Sequence, residues 1–360
     1  MTTDTSTPLV ANTLTTGRLP RWAPWVLFAG SVAVMCALVG ILNMSSGAEF
    51  NIVLALFLGT ILFDILIYVI AYLVEGVRQA NDRLVTALVS SAFIIALLPL
   101  VSLLYTVVSN GLARFDVTFL TTTMRNIVDV GGGAQHAIVG TLLITGMATL
   151  ISVPVGLLTA IYLVEYGRGA LAHAITFFVD VMTGIPSIVA GLFAFAFFSL
   201  VLNDAGIRFG VGGSVALSLL MIPVVVRSCE EMLKLVPNEL REAAYALGVP
   251  KWLTIVRVVI PTSIAGITTG ITLAIARVIG ETAPLLIIAG FTASMNTDLF
   301  RERMMTIPVF VYTQYANPGR NVDPYLDRAW AGALTLILIV MALNLIARLI
   351  ARIFSPKLGR

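Results

Sequence analysis

Four ionisable residues, Asp64, Asp180, Arg277 and Glu281, stand inside long apolar stretches of this 360-residue chain. A charge in such surroundings is costly and is kept where it pairs or meets a ligand. Arg277 and Glu281 are four residues apart, so on a continuous helix they lie one turn apart and can pair. A guanidinium is always charged, and its planar fork matches a tetrahedral oxyanion. A carboxylate one turn away would hold that fork and moderate its grip, as a site that must also release its ligand requires. The same spacing also suits an ion pair that only fixes helix packing. Asp180 precedes Gly184-Ile185-Pro186-Ser187, where Pro186 frees a backbone carbonyl and bends the helix. Breaks of that kind are tolerated where they line a cavity. Asp64 has no partner evident in the sequence and reads as a bundle-facing or protonated acid.

A second constellation lies in the polar connection 228–257. Residues 237–250 read Pro-Asn-Glu-Leu-Arg-Glu-Ala-Ala-Tyr-Ala-Leu-Gly-Val-Pro. Asn238 is placed to cap a helix and Glu239 sits in its first turn, where the dipole favours an anion. Leu240, Ala243, Ala244 and Leu247 then form one apolar stripe at helical spacing. Gly248 stops the helix and Pro250 opens another. A short helix with a small, alanine-lined face lets another protein's backbone approach closely, so this is a docking element. An ordinary interfacial amphipathic helix is the plainer alternative.

The elements that must position these residues are membrane spans. The chain is 58% hydrophobic and only 11% charged, with a mean hydropathy of +0.98, whereas a soluble domain carries about 25% charged residues. Apolar runs near 25–43, 51–75, 84–108, 137–162, 173–201, 210–227, 258–290 and 329–351 approach the roughly 20 residues that cross a bilayer. Lipid offers no partner to free backbone groups, so the runs must be helices and the fold an all-α polytopic bundle of about eight spans. Placing the N-terminus inside puts fourteen lysines and arginines in inner segments and seven in outer ones, which fixes the orientation, with both termini cytoplasmic. Residues 1–24 read as a disordered cytoplasmic tail: seven threonines crowd the first 20 residues. Two outer loops, 109–136 and 291–328, are long enough to meet an external partner. Counted from Pro261, Arg277 falls about 24 Å along its helix, toward the outer side.

The net charge of +3 and the sequence pI of 9.0 reflect topology, not a nucleic-acid patch. Cys36 and Cys229 show neither a disulfide framework nor metal spacing, and His136 and His173 fall near span ends as packing or interfacial residues. A phosphate-cradling loop needs Gly-Lys-Ser/Thr; the only lysines, Lys234, Lys251 and Lys357, precede Leu, Trp and Leu. The chain therefore carries no nucleotide-binding domain and is not itself an enzyme.

Glu242-Ala243-Ala244, Gly248 and Val258-Val259-Ile260-Pro261 together resemble the EAA loop of binding-protein-dependent ABC importer permeases, spacing included. The run Ala276 to Leu285, the run Gly184 to Phe193 and Ala329-Trp330-Ala331 resemble phosphate importer permeases of the PstA type. The resemblance covers about residues 84–355 and implies a type I ABC permease domain there, with 25–83 holding two further spans outside the six-span pattern. It implies that Glu242, Ala243, Ala244 and Gly248 couple to an ATPase, and that Arg277 and Glu281 match a charged pair on the phosphate route, with Asp180 a further pathway candidate. The implied partners are a second permease of the PstC type, two copies of a PstB-type ATPase that binds ATP and Mg, and a PstS-type extracytoplasmic phosphate-binding protein in a bacterial inner membrane. A sulfate or molybdate importer shares the EAA loop, and a secondary transporter shares the spans alone.

Overall fold

The computed structural model describes residues 19–46 and 52–354. Most of the expected tail, 1–18, and the C-terminal residues 355–360 lie outside them. Every regular element among the described residues is helical. Among the described residues seven helices are long and apolar enough to cross a membrane, or eight if one bent pair counts as a single span. The chain forms two compact units, one up to Tyr105 and one from Thr106.

The first unit holds α1 (Ala23–Ser46), α2 (Ile52–Glu75) and most of α3 (Val77–Gly111). α2 buries one stripe, Ala55, Gly59, Phe63, Ile67 and Ala71, at spacings of four. A Cβ on Gly59 would stand 2.9 Å from the Val32 backbone of α1, and Phe28 meets Phe63 edge-to-face at 5.4 Å. Small residues allow such backbone approach where lipid supplies no hydrophobic drive between helices. Asp64 does have a partner: Ser91 Oγ donates to its carboxylate at 3.0 Å. Glu75, at the α2 end, accepts a bond of 2.7 Å from Arg83 and one of 2.6 Å from the Leu19 N–H. The tight turn between α2 and α3 is Gly76, at φ +91°.

The second unit runs through α4 (Val117–Thr121), α5 (Gln135–Ile161), α6 (Ala170–Thr183), α7 (Ser187–Val201), α8 (Gly210–Lys234), α9 (Asn238–Ala246), α10 (Lys251–Thr254), α11 (Ile260–Val278), α12 (Ala283–Ile288), α13 (Ile307–Ala316) and α14 (Asp323–Phe354). π-helical turns extend α5 over Tyr162–Tyr166 and join α10 to α11 over Ile255–Val259. Lys251–Val278 is thus one 28-residue rod. α5 and α8 form the centre. Ile144, Ala148, Leu217, Met221 and Val225 are fully buried there, and a Cβ on Gly156 would fall 2.6 Å from Val225. Ser214 Oγ donates across the seam to the Ile144 carbonyl at 3.1 Å. α11 packs on α8 through Gly270, whose added Cβ would meet Ser228 Cβ at 2.5 Å.

Three expected spans have different limits. The run 173–201 is two helices bent by 109° across Gly184–Pro186, since Pro186 can donate no helical bond and clashes with the turn before it. The run 258–290 also divides: α11 ends at Val278, and α12 begins at Ala283 with Pro284 in its first turn. The run 210–227 continues to Lys234. His136 and His173 do sit near helix starts, the first buried against Phe310 and the second exposed. Arg328, read as an outer-loop charge, is buried at 1% exposure. It bonds Gln314 at 2.8 Å, the Asp129 carbonyl at 2.6 Å and the Gly131 carbonyl at 3.1 Å, fastening the 129–131 loop to α13 and α14.

The tightest approach is at Gly140, where a Cβ would stand 2.0 Å from the Met305 carbonyl oxygen. Gly140→Val should destabilise the bundle by at least about 1–3 kcal/mol through overpacking. Gly146→Val, with nothing within 4 Å of its Cβ position, is the control. Thermal unfolding of the two purified variants should show a clear loss for the first and little change for the second.

Candidate functional site

Arg277 occupies the last turn of α11 and is exposed. Glu281 lies beyond the helix, half-buried, its N–H bonded to the Val278 carbonyl at 3.1 Å. The expected pairing at one-turn spacing is therefore corrected: the helix stops between the two residues. Neither side chain makes a hydrogen bond or ion pair with another described residue. The break continues through Gly280 and Thr282, and α12 starts beyond it. Its partner on the other side is α7, where a Cβ on Gly191 would reach the Pro284 Cα at 2.5 Å. The two broken segments, one after Thr183 and one after Val278, thus lead into helices that pack on each other. The Arg277 guanidinium, always charged, thus has no acceptor among the described residues and stands beside irregular backbone.

Asp180 sits elsewhere. Its exposed carboxylate pairs with Arg227 of α8, which also bonds Glu230 at 2.7 Å, and Lys234 closes the ladder onto Glu230 at 2.7 Å. Gly270 packs on Ser228, next to Arg227, and Arg277 lies seven residues further along α11, about 10 Å away at the helical rise. The structure brings Arg277 and Glu281 to one break and leaves Asp180 in a second charged layer. Arg227, Glu230 and Lys234 were missed because the span was ended at 227. Their i, i+3, i+7 spacing is a helical ladder that could have extended it.

The docking element forms with one change at its start. Asn238 is the first helical residue of α9 and Pro237 precedes it as the cap, without a side-chain bond. Instead of capping, the Asn238 side-chain oxygen Oδ1 accepts from Arg241 Nη1 at 3.2 Å. Gly248 ends the helix at φ +74°, a backbone region costly for any residue with a Cβ. Its N–H bonds the Tyr245 carbonyl at 2.9 Å, and the Val249 N–H bonds that of Ala244 at 3.1 Å. Of the predicted stripe only Ala244 turns inward, at 8% exposed; Leu240 and Leu247 stand at 41% and 84%. Glu242 and Ala243 are exposed as well. Most of the apolar side of α9 is therefore left uncovered by the rest of the described chain.

What holds α9 was not foreseen. Arg241 spends its donors on its own domain: Nε to Glu165 at 3.0 Å, Nη1 to the Val236 carbonyl at 2.6 Å, and Nη2 to the Leu233 carbonyl at 3.0 Å. It thereby bonds carbonyls at and just beyond the end of α8 and ties α9 to the π turn after α5. Glu165 is nearly buried, its side chain 5% exposed. Lys251 donates to the Glu165 carbonyl and stands 4.9 Å over the Tyr166 ring. An arginine next to Glu242 in a short polar helix reads as solvated surface, and only the fold reveals its acceptors.

The comparisons with known proteins agree with this architecture. The family described as binding-protein-dependent transport system inner membrane component matches residues 152–360. The phosphate transport system permease protein PstA 1 of Mycobacterium tuberculosis is 47% identical over 278 residues, covering 76% of this chain and 89% of that one. The PstA protein of Yersinia pestis is 39% identical over 274 residues, 76% and 90% of the two chains. The chain belongs to the PstA family of permeases. A bacterial alginate ABC transporter, solved with a pentasaccharide-bound periplasmic protein, aligns at a TM-score of 0.55 and 15% identity over 78% of this chain and 97% of that one. That likeness shows the fold, a type I ABC permease bundle.

The Arg241 clamp generates a stability prediction. Glu165→Gln removes the carboxylate but leaves the carbonyl acceptors, so α9 should loosen without the bundle unfolding. Amide hydrogen exchange in 238–248 should speed up about tenfold, a loss of one charged hydrogen bond's worth, while exchange within α8 stays unchanged. Unaltered exchange in 238–248 would mean that Glu165 does not hold the helix.

Proposed function

We propose that this chain is one half of the membrane pathway of an ATP-driven phosphate importer, and that it passes ATPase movement to the substrate route through the Lys251–Val278 rod. The observation that carries this reading is the placing of two unpartnered features on one stiff element. Near one end is α9 with its uncovered apolar side; at the other is Arg277 with its uncommitted guanidinium. The rod is about 42 Å long at the helical rise. Its α9 end faces the cytoplasm, following the excess of inner lysines and arginines. The named relatives are phosphate permeases, and phosphate fits the chemistry of Arg277, a fork that can bind two oxygens at once.

A second permease of the PstC type completes the pathway in this reading. Two PstB-type ATPase subunits, which bind ATP and Mg, dock on the α9 helices of the pair through Glu242, Ala243, Ala244 and the turn at Gly248. A PstS-type protein delivers phosphate from outside. Asp180 and Arg227 form a charged layer nearer the cytoplasm, placed to be met after Arg277.

Two experiments test the two ends. Gly248→Val forces a β-branched residue into a positive φ, costing about 1–2 kcal/mol locally, and should release the ATPase while the bundle stays inserted. Full ATPase co-purification together with normal phosphate uptake would remove α9 from the docking role. Arg277→Gln should abolish phosphate uptake at matched membrane levels, and Glu281→Gln should change it more mildly. The double variant should stay inactive, because no ion pair joins the two side chains; recovery of uptake in it would reduce them to a packing pair. Competition of uptake by phosphate and not by sulfate separates this reading from that of another oxyanion importer.

A further inference from the structure

Beyond α12, at the far end of the bundle from α9, a cleft of about 500 Å³ opens between the α7–α8 connection and the loop 291–303. Two arginines line it, Arg208 and Arg303, and their stems converge on one point. A Cβ built on Gly290, itself at φ +78°, would meet Arg208 Cδ at 2.9 Å and Arg303 Cδ at 3.4 Å. Only a glycine there lets both stems lie side by side.

The walls are held firmly. The Phe209 N–H bonds the Ile288 carbonyl at 2.9 Å, Val211 bonds Leu299 at 2.8 Å, and Met304 bonds Ala289 at 3.1 Å. Asn296 Nδ2 joins the Arg301 and Arg303 carbonyls at 2.8 and 3.1 Å, closing the loop on itself. Within this frame the charges are left over. Arg208 gives Nε to the Ile287 carbonyl at 3.2 Å, and among the described residues neither arginine forms an ion pair. Brought together, the two guanidinium charges repel each other, and an anion between them reverses the sign of that energy. Thr292 and Ser294 also line the cleft. Thr292 Oγ1 accepts from the Ser294 N–H at 3.2 Å, which leaves its hydroxyl proton free to donate. Asp204 is turned to its own loop, bonding the Gly206 N–H at 2.8 Å. With Glu302 on the rim, its charge keeps the hold weak, as a point of passage requires.

We propose that this cleft is an oxyanion site at the outer mouth, where Arg208 and Arg303 take up phosphate before it meets Arg277. The proposal rests on the phosphate-import reading. α12, six residues and about 9 Å long, is all that separates Gly290 from the break beside Arg277. The two arginine positions thus mark two ends of one short helix.

The test uses the assembled importer in proteoliposomes and phenylglyoxal, which modifies arginine, with modification read residue by residue by peptide mass spectrometry. Inorganic phosphate, compared with chloride at matched ionic strength and without binding protein, should slow modification of Arg208 and Arg303 by roughly threefold or more. Exposed Arg125 and Arg320 should react at the same rate in both salts. In Arg303→Gln the protection of Arg208 should disappear, because the anion then has one arm. Equal rates in phosphate and chloride would overturn the proposal. So would protection given only by phosphate-free binding protein, which would make the cleft a protein contact. Protection is measured without transport, so the two readings fail separately: normal uptake by Arg277→Gln with a protected cleft overturns the pathway role of Arg277 and leaves the cleft standing.

Discussion

Lipid gives helices no reason to stick together by burying apolar surface, so this bundle depends on how closely its backbones can approach. The α5–α8 seam is where that constraint is met. Gly156 admits Val225 and Ser214 reaches the Ile144 carbonyl, while elsewhere on α5 Gly140 lets the Met305 carbonyl, just before α13, sit where a side chain would otherwise stand. α11 then uses Gly270 to lie against Ser228. Small residues set the backbone spacing there, large apolar side chains such as Ile144, Leu217 and Met221 fill the space between, and many others face outward. Any charge that remains near the centre must then be accounted for individually.

Those charges divide by whether the fold answers them. Arg328, Arg241 and Arg227 are answered, the first two largely by backbone carbonyls, with Nη2 of Arg328 alone left without an acceptor among the described residues, and the third by two carboxylates. Each fastens one element to another, and a guanidinium suits the task because its donors can serve several acceptors at once. Arg277 is unanswered, although it lies on the same kind of helix. The contrast is informative because an unpaired arginine in a membrane bundle is expensive. Its exposure at a helix end beside irregular backbone sets it apart from the arginines that fasten one element to another.

Much of this was legible in the residues. Composition and the apolar runs led to the all-helical membrane bundle, and the Glu-Ala-Ala run with Gly248 and Pro250 located α9 and its stop to within a residue. The division of the 258–290 run was also written in the chain, as Gly280 followed by Pro284, but the apolar continuity of Leu285-Leu286-Ile287-Ile288 hid it. Hydropathy responds to side chains, whereas a helix end is decided by the backbone. The bend at Pro186 was foreseen as a break, but not its size. What could not be read were acceptors far away in sequence. Nothing local says that Arg241 finds Glu165, 76 residues away, or that Asp180 finds Arg227. Such pairs are decided only when helices choose neighbours.

The π turn at Ile255–Val259 lies close to one end of the rod. Its wider bonds interrupt the regular α-helical ladder one turn beyond Lys251, which donates to the Glu165 carbonyl. From the middle of the turn, Arg257, the arm to Lys251 is about 9 Å and the arm to Val278 about 32 Å at the helical rise. In the proposed pathway a rod pivoting there would be a lever of about three and a half to one, so that a displacement of about 1 Å beside α9 would become about 3.5 Å near Arg277.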